Sequence, residues 1–211
     1  MGGARHENAS GNLMQPRDKS SSTPSPHTSD ALFVRDALEA DMGVVQAIYA
    51  DHVRCGLATF EEVPPSHEAM LARRAAAIAA GLPYLVAERQ GEVVGFAYAG
   101  AYHSRPAYRY TLEDSVYVLT GLGGCGIGTA LLQLLVTRCE TGRWRQMIAL
   151  IGDSANVASI ALHRRMGFRT AGTLGAVGFK LGRWVDTVLM QRVLGTSDQI
   201  AAADNHPRAT P

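Results

Sequence analysis

Apolar residues recur at helix and strand spacings through the middle of the chain, and the first segments predict a strand followed by a helix. The short apolar run at 32–35 is typical of a β-strand. Asp41 stands where it would cap a helix. The apolar face of that helix has three- and four-residue spacing and comprises Met42, Val45, Ile48, Tyr49 and Val53.

The next segments predict a second helix and an antiparallel hairpin. Ser66 follows a pair of prolines and can cap a helix that runs through Ala80. Two apolar runs, at 84–88 and 93–98, are separated by the turn Gln90-Gly91-Glu92. This pattern indicates two neighbouring strands joined by a tight turn.

The C-terminal half alternates strands with helices. A strand at 115–118 precedes a glycine-rich loop, and a buried strand is expected at 147–151, a helix over 156–166 and strand-like residues at 185–193. A third helix follows the loop, with an apolar face made of Ile127, Leu131, Leu134 and Leu135. These elements predict an α/β (α+β) domain.

The two ends of the chain differ from this middle. Residues 1–31 are rich in Ser, Pro, Gly, Asn and His and have no hydrophobic period, which predicts a disordered leader. Residues 196–211 predict a flexible C-terminal tail. A single domain is therefore expected over residues 32–195.

Composition argues against several classes of partner. The formal net charge of +1 gives no electrostatic case for nucleic acid or an anionic membrane surface. No apolar run reaches the roughly 18 residues of a membrane span. Cys55, Cys125 and Cys139 show no C-x-x-C spacing, which argues against a disulfide framework or a metal site. We therefore expect a cytoplasmic protein that binds no metal, nucleic acid or membrane.

The glycine-rich loop at 121–128 fits two phosphate-binding patterns. Gly121, Gly123 and Gly126 match the G-x-G-x-x-G turn of dinucleotide-binding folds. Gly124, Gly126 and Gly128 fit the loop that holds the pyrophosphate of coenzyme A in acetyltransferases. In either case, backbone amides and the positive end of the following helix attract the phosphates.

The surroundings of the loop favour coenzyme A. Asp153 follows the next strand and could serve a dinucleotide's ribose, so spacing alone does not decide. However, the loop lies past the middle of the chain, after an antiparallel hairpin, and too little chain follows to build the second half of a dinucleotide fold.

Seven segments in order resemble the GNAT superfamily of N-acetyltransferases and, within it, the phosphinothricin and methionine sulfoximine N-acetyltransferases. They are VRDALEAD, ATFE, YLVAERQGEVVGFAYAG, SRPAYRYTLEDSVYV, GIGTALLQLL, IGDSANVASIALHRRMGF and AVGFKLGRWVD. The resemblance covers about residues 32–195. It implies a GNAT fold, in which a mixed, mostly antiparallel sheet is splayed at the acetyl-CoA site and flanked by helices, and it implies a homodimer.

The resemblance also implies a coenzyme site. Backbone groups of Val116, Tyr117 and Val118 would hold the pantetheine arm and polarise the thioester. The loop and the start of the next helix would hold the phosphates through Gly123, Gly124, Gly126, Ile127, Gly128 and Thr129. Asn156 matches a position that contacts coenzyme A, although a helix cap is an equal alternative.

The remaining implied residues concern catalysis and the acceptor, a small amino-acid-like amine. Glu113 matches the general base, against the alternative of a solvated carboxylate at a strand edge. His163 stands where many members have a tyrosine acid near the sulfur, and a satisfied histidine in the core or on the surface is the alternative. The implied acceptor site contains Phe60, Arg105 and Tyr108, and Arg105 could instead be a solvated loop charge.

One departure from the family concerns the phosphates. Members usually carry Gln or Arg, then Arg, where this chain has Gly123 and Gly124. We therefore expect acetyl-CoA binding that is retained but weaker. The missing side chains also leave open a non-catalytic acyl-CoA-binding or sensing module, and the acceptor could be another amine, such as a polyamine, a drug or a protein N-terminus.

Overall fold

Within the described residues, seven β-strands and four α-helices form the domain. The computed structural model describes Met1 and residues 31–195, so nearly all of the expected leader and the whole tail lie outside the described residues. The strands are β1 (Leu32–Asp36), β2 (Tyr84–Arg89), β3 (Glu92–Ala101), β4 (Thr111–Val118), β5 (Gln146–Gly152), β6 (Arg169–Lys180) and β7 (Arg183–Val193). The helices are α1 (Met42–Cys55), α2 (His67–Ala79), α3 (Ile127–Glu140) and α4 (Val157–Arg165).

The sheet confirms the expected mixed, mostly antiparallel architecture. Its strand order is β1-β2-β3-β4-β5-β7-β6, and only the β4–β5 pair is parallel. That pair is short, because Thr111, Leu112 and Glu113 are the only β4 residues in register with β5. Beyond Glu113 the two strands separate, so the sheet is splayed alongside Val116, Tyr117 and Val118, which the resemblance assigns to the coenzyme.

Helices cover both faces of the sheet. The ring of Tyr117 packs edge-on against Tyr49 of α1, with centroids 4.9 Å apart. Its neighbour Val116 lies beside Gly128 of α3, and successive strand residues point to opposite faces. Thus α1 and α3 lie on opposite sides of β4.

The helix caps agree with the sequence at Ser66 and differ at Asp41. The Ser66 hydroxyl accepts the backbone N–H of Ala69, as predicted. Asp41 makes no side-chain cap for α1. Its carboxylate instead binds the Arg35 guanidinium and accepts the Leu38 N–H, so an ion pair to β1 has replaced the predicted cap.

Candidate active site

Two adjoining cavities open where β4 and β5 separate. The larger has a volume of about 810 Å³ and extends along β4 to the glycine-rich loop and α4. The smaller has a volume of about 320 Å³ and lies between the fork and the 58–61 segment. The residues that line both are Ala58, Val116, Tyr117, Asn156 and Ser159. A ligand in one cavity can therefore reach a ligand in the other.

The larger cavity brings together every residue that the sequence suggested for the coenzyme. These are Val116, Tyr117, Val118, Gly123, Gly124, Gly126, Ile127, Gly128, Thr129 and Asn156. In the loop, Gly121, Gly124 and Gly126 have φ angles of 89°, 80° and 81°. Only glycine adopts this left-handed conformation at little cost, which explains the composition of the loop.

The start of α3 presents unpaired backbone donors to this cavity. Gly126 is the N-cap residue in a left-handed conformation, and no side chain caps the helix. The amide N–H groups of the first turn have no partner within an α-helix, and the helix dipole places partial positive charge there. This end of the cavity is suited to a phosphate.

The edge of β4 beyond the fork also carries polar backbone groups. The N–H of Leu119 binds the carbonyl of Val94 in β3. Along an antiparallel strand, the backbone N–H and C=O groups of successive residues point alternately to one neighbouring strand and to the other. The groups of Val116 and Val118 therefore face away from β3, towards the open edge. At this edge the Val118 carbonyl already accepts a hydrogen bond from Nε2–H of His52, 2.9 Å away. Val116 therefore offers backbone groups to a ligand, whereas Tyr117 offers its ring.

Glu113 is the carboxylate at the fork. It pairs with Ile148 at the last bridged position of β4 and lines the smaller cavity, where it is half-buried. Burial raises the pKa of its carboxyl group to about 7, and the negative charge of Asp114 adds to the rise. A carboxyl group with this pKa exchanges protons readily near neutral pH.

Asp114 points to the opposite face of β4 and forms a buried ion pair with His163 of α4. Nε2 of His163 lies 3.0 Å from Oδ2 of Asp114, and Nδ1 lies 2.8 Å from the Ser159 carbonyl oxygen. Both partners are oxygen acceptors, so both ring nitrogens carry protons. Burial lowers the pKa of His163. The hydrogen bond to Asp114, the negative charge of Asp114 and the hydrogen bond to the Ser159 carbonyl together outweigh burial, so the pKa of His163 is raised.

This geometry favours the interpretation of His163 as a satisfied histidine over its interpretation as a proton donor. Although the residue lines the smaller cavity, it is 4% exposed and both N–H groups are already bonded. It is a satisfied histidine of the core, and its contacts do not support the expected role of a proton donor beside the sulfur.

The 58–61 segment forms the outer wall of the smaller cavity. The Thr59 hydroxyl bonds to the Tyr49 hydroxyl at 2.9 Å, and the Thr59 carbonyl accepts the buried Lys180 ammonium at 2.6 Å. Phe60 lines the cavity, and its ring packs so closely on Gly178 that a side chain there would collide with it. Long-range contacts thus hold this segment over the fork.

Arg105 and Tyr108, the other two residues expected at the acceptor, lie elsewhere in the single chain. Both belong to the β3–β4 connection, are exposed and line neither cavity. Tyr108 packs against Tyr102 and His103. Among the lining residues of the smaller cavity there is no Lys or Arg, whereas Glu61, Glu113 and Asp114 are present.

Several residues of the site were not singled out from the sequence. They are Tyr49, Thr59, Glu61, Tyr98 and Ser115 around the smaller cavity, and His52 and Arg165 around the larger. Thr59 and Glu61 belong to the ATFE motif, which contained a usable signal. Tyr49 and His52 lie within a helical pattern that gives no sign of a site.

Across residues 31–195, no group of three His, Cys, Asp or Glu side chains is placed to hold a metal ion. In the same range, no helix has the length and apolar character needed to cross a membrane.

Comparisons with known proteins agree with this geometry. Residues 45–168 match the family model described as the acetyltransferase (GNAT) family. The chain is 56% identical over 168 residues to a phosphinothricin N-acetyltransferase of Alcaligenes faecalis, covering 80% of this chain and 85% of the relative. It is 41% identical over 159 residues to an L-methionine sulfoximine/L-methionine sulfone acetyltransferase of Pseudomonas paraeruginosa, covering 75% and 92%.

A solved structure gives the same fold. The crystal structure of a GNAT superfamily phosphinothricin acetyltransferase from Sinorhizobium meliloti, in complex with acetyl-CoA, superposes with a TM-score of 0.78 at 44% identity. The match covers 85% of this chain and 97% of that one.

Proposed function

The chain belongs to the GNAT acetyltransferase family, and from this premise we propose that it acetylates the amine of a small amino-acid-like acceptor of the phosphinothricin or methionine sulfoximine type. The observation that carries the proposal is the meeting of a phosphate-binding cavity and a carboxylate-lined cavity at the fork. The named activities of the relatives support the choice of acceptor.

The larger cavity is assigned to acetyl-CoA. Amides at the start of α3 bind the phosphates, and the open edge of β4 at Val116 aligns the pantetheine arm towards the fork. Asn156 uses its side-chain oxygen to cap α4, at a position that lines both cavities. When bound, acetyl-CoA supplies the thioester whose carbonyl carbon the amine attacks.

Glu113 is assigned the role of general base. The acceptor enters the smaller cavity as an ammonium ion, beside the carboxyl group of Glu113, whereas Glu61 and Asp114 are already paired with Arg73 and His163. Glu113 takes one proton from the ammonium group, and the free amine attacks the thioester carbon to form the C–N bond. As the C–S bond breaks, the leaving sulfur takes the second proton that the nitrogen loses, so coenzyme A is released as its thiol. The raised pKa suits Glu113 to this transfer near neutral pH.

We assign the acceptor's own carboxylate to Arg105 of a second copy of the chain. The smaller cavity is lined by three acidic residues and by no Lys or Arg of its own chain within residues 31–195. A planar guanidinium is suited to a carboxylate.

An exposed apolar surface on the β6–β7 hairpin supports a homodimer, and it comprises Leu174, Val177, Phe179, Leu181 and Trp184.

Release of thiol from acetyl-CoA with a panel of amines tests the activity. We expect rapid turnover with phosphinothricin and methionine sulfoximine, and much slower turnover with polyamines, aminoglycosides and peptides. Binding of acetyl-CoA without turnover on any amine would favour a sensing module instead.

Activity in cell fractions tests the assignment to the cytoplasm, which the unpaired Cys55 and Cys125 support.

Mixing two inactive variants tests the assignment of Arg105. Arg105→Ala and Glu113→Gln should each be inactive alone. If Arg105 acts across the dimer, mixed dimers contain one intact site, and activity should return when subunits exchange. Absence of activity in verified mixed dimers would contradict the role across the interface, and light scattering showing a monomer would contradict the dimer itself.

A further inference from the structure

The larger cavity is short of positive charge at the end assigned to the phosphates. Coenzyme A carries a pyrophosphate and a 3′-phosphate, yet the loop from Leu119 to Gly126 contains no basic side chain. Among the residues that line this cavity, Arg165 is the one Lys or Arg.

The position of Arg165 places it at the phosphate end. It is the last residue of α4 and follows Leu162 by three positions, so the two share one face of the helix. Leu162 lies against Gly128, in the first turn of α3. The Arg165 side chain therefore emerges beside the loop and the unpaired amides.

Arg165 also has no competing partner. Within residues 31–195 its side chain is exposed and forms no hydrogen bond or ion pair. Several other arginines of the domain are held in ion pairs, namely Arg35, Arg73, Arg138, Arg183 and Arg192. The guanidinium of Arg165 can thus bind an incoming anion without breaking an existing contact.

We propose that Arg165 binds a phosphate group of coenzyme A and takes the place of the basic side chains that the loop lacks. The inference rests on the assignment of the larger cavity to acetyl-CoA. It adds a residue from α4 to a site otherwise built from backbone groups of the loop.

Calorimetric titration of Arg165→Gln with coenzyme A tests the proposal directly. We expect the dissociation constant to rise about tenfold at low salt, as for loss of one charge-assisted bond to phosphate. The matched control is Arg164→Gln, which removes the same charge from an exposed neighbour that does not line the cavity. The control should bind as the wild type does.

Two ligands identify the phosphate. If Arg165 binds the 3′-phosphate, the variant should lose affinity for coenzyme A and none for 3′-dephospho-coenzyme A. If it binds the pyrophosphate, both ligands should weaken equally. Either result supports the proposal, and in both the dependence of affinity on salt should be smaller in the variant.

Restoring a basic side chain to the loop provides a second test. Gly123 has open space around it and no left-handed φ angle, whereas Gly124 has a φ of 80° and would be strained by any side chain. Gly123→Arg should therefore recover the affinity that Arg165→Gln loses, and Gly124→Arg is the poorer choice.

Three results would overturn the proposal. The first is a coenzyme A affinity of Arg165→Gln that equals that of the wild type. The second is an equal loss of affinity in the Arg164 and Arg165 variants, because that result would indicate only a general effect of charge. A wild-type protein that binds no coenzyme A would remove the proposal together with the assignment of the larger cavity, so the two failures are distinguishable.

Discussion

Replacing Glu113 with glutamine is expected to lower kcat/KM for acetyl transfer about 10²- to 10⁴-fold, the usual contribution of a general base. Glutamine keeps the size of the side chain but cannot take a proton from the ammonium group. Glu113 lines the smaller cavity and not the larger, so affinity for acetyl-CoA should stay close to that of the wild type. Steady-state rates and calorimetry measure the two quantities separately.

The pH profile supplies the signature of this role. Since the pKa of Glu113 is raised to about 7, wild-type kcat/KM should increase as the pH rises through that value and the carboxyl group loses its proton. Glu113→Gln should lack this step. Glu62→Gln is the control, because Glu62 is exposed and lines neither cavity. A Glu113 variant that kept most of the wild-type turnover would contradict the assignment.

The sequence predicts those parts of the fold that depend on neighbours along the chain. The β2–β3 hairpin, the Ser66 cap and the apolar face of α3 all follow from local spacing and turn chemistry. The left-handed glycines of the loop are likewise a local requirement, and the residues expected to hold the coenzyme gather along one cavity.

Contacts between distant segments were not predictable in the same way. Asp41 has the position of a helix cap, but Arg35 binds its carboxylate across the β1–α1 connection. His163 and Asp114 are 49 positions apart, and only the fold shows that they meet. Arg105 was placed at the acceptor by resemblance, whereas in the single chain it lies outside both cavities.

The Asp114–His163 pair joins the two halves of the domain behind the fork, so breaking it should be costly. His163→Leu would leave the Asp114 carboxylate buried without its partner, and Oδ1 of Asp114 already lacks a hydrogen bond within the described part of the chain. We expect the free energy of unfolding to fall by about 3–5 kcal/mol, as for removal of one member of a buried ion pair. Urea denaturation at neutral pH measures the change.

The double variant Asp114→Val/His163→Leu is the decisive control. It removes both charges, so it should be more stable than His163→Leu alone, because no unpaired charge remains buried.

The raised pKa of His163 means that its stabilising effect is complete below about pH 6.5 and is lost as the pH rises through the folded-state pKa. The stability difference between wild type and double variant should therefore shrink with increasing pH. A His163→Leu protein as stable as the wild type, but without turnover, would instead restore the role of proton donor to His163.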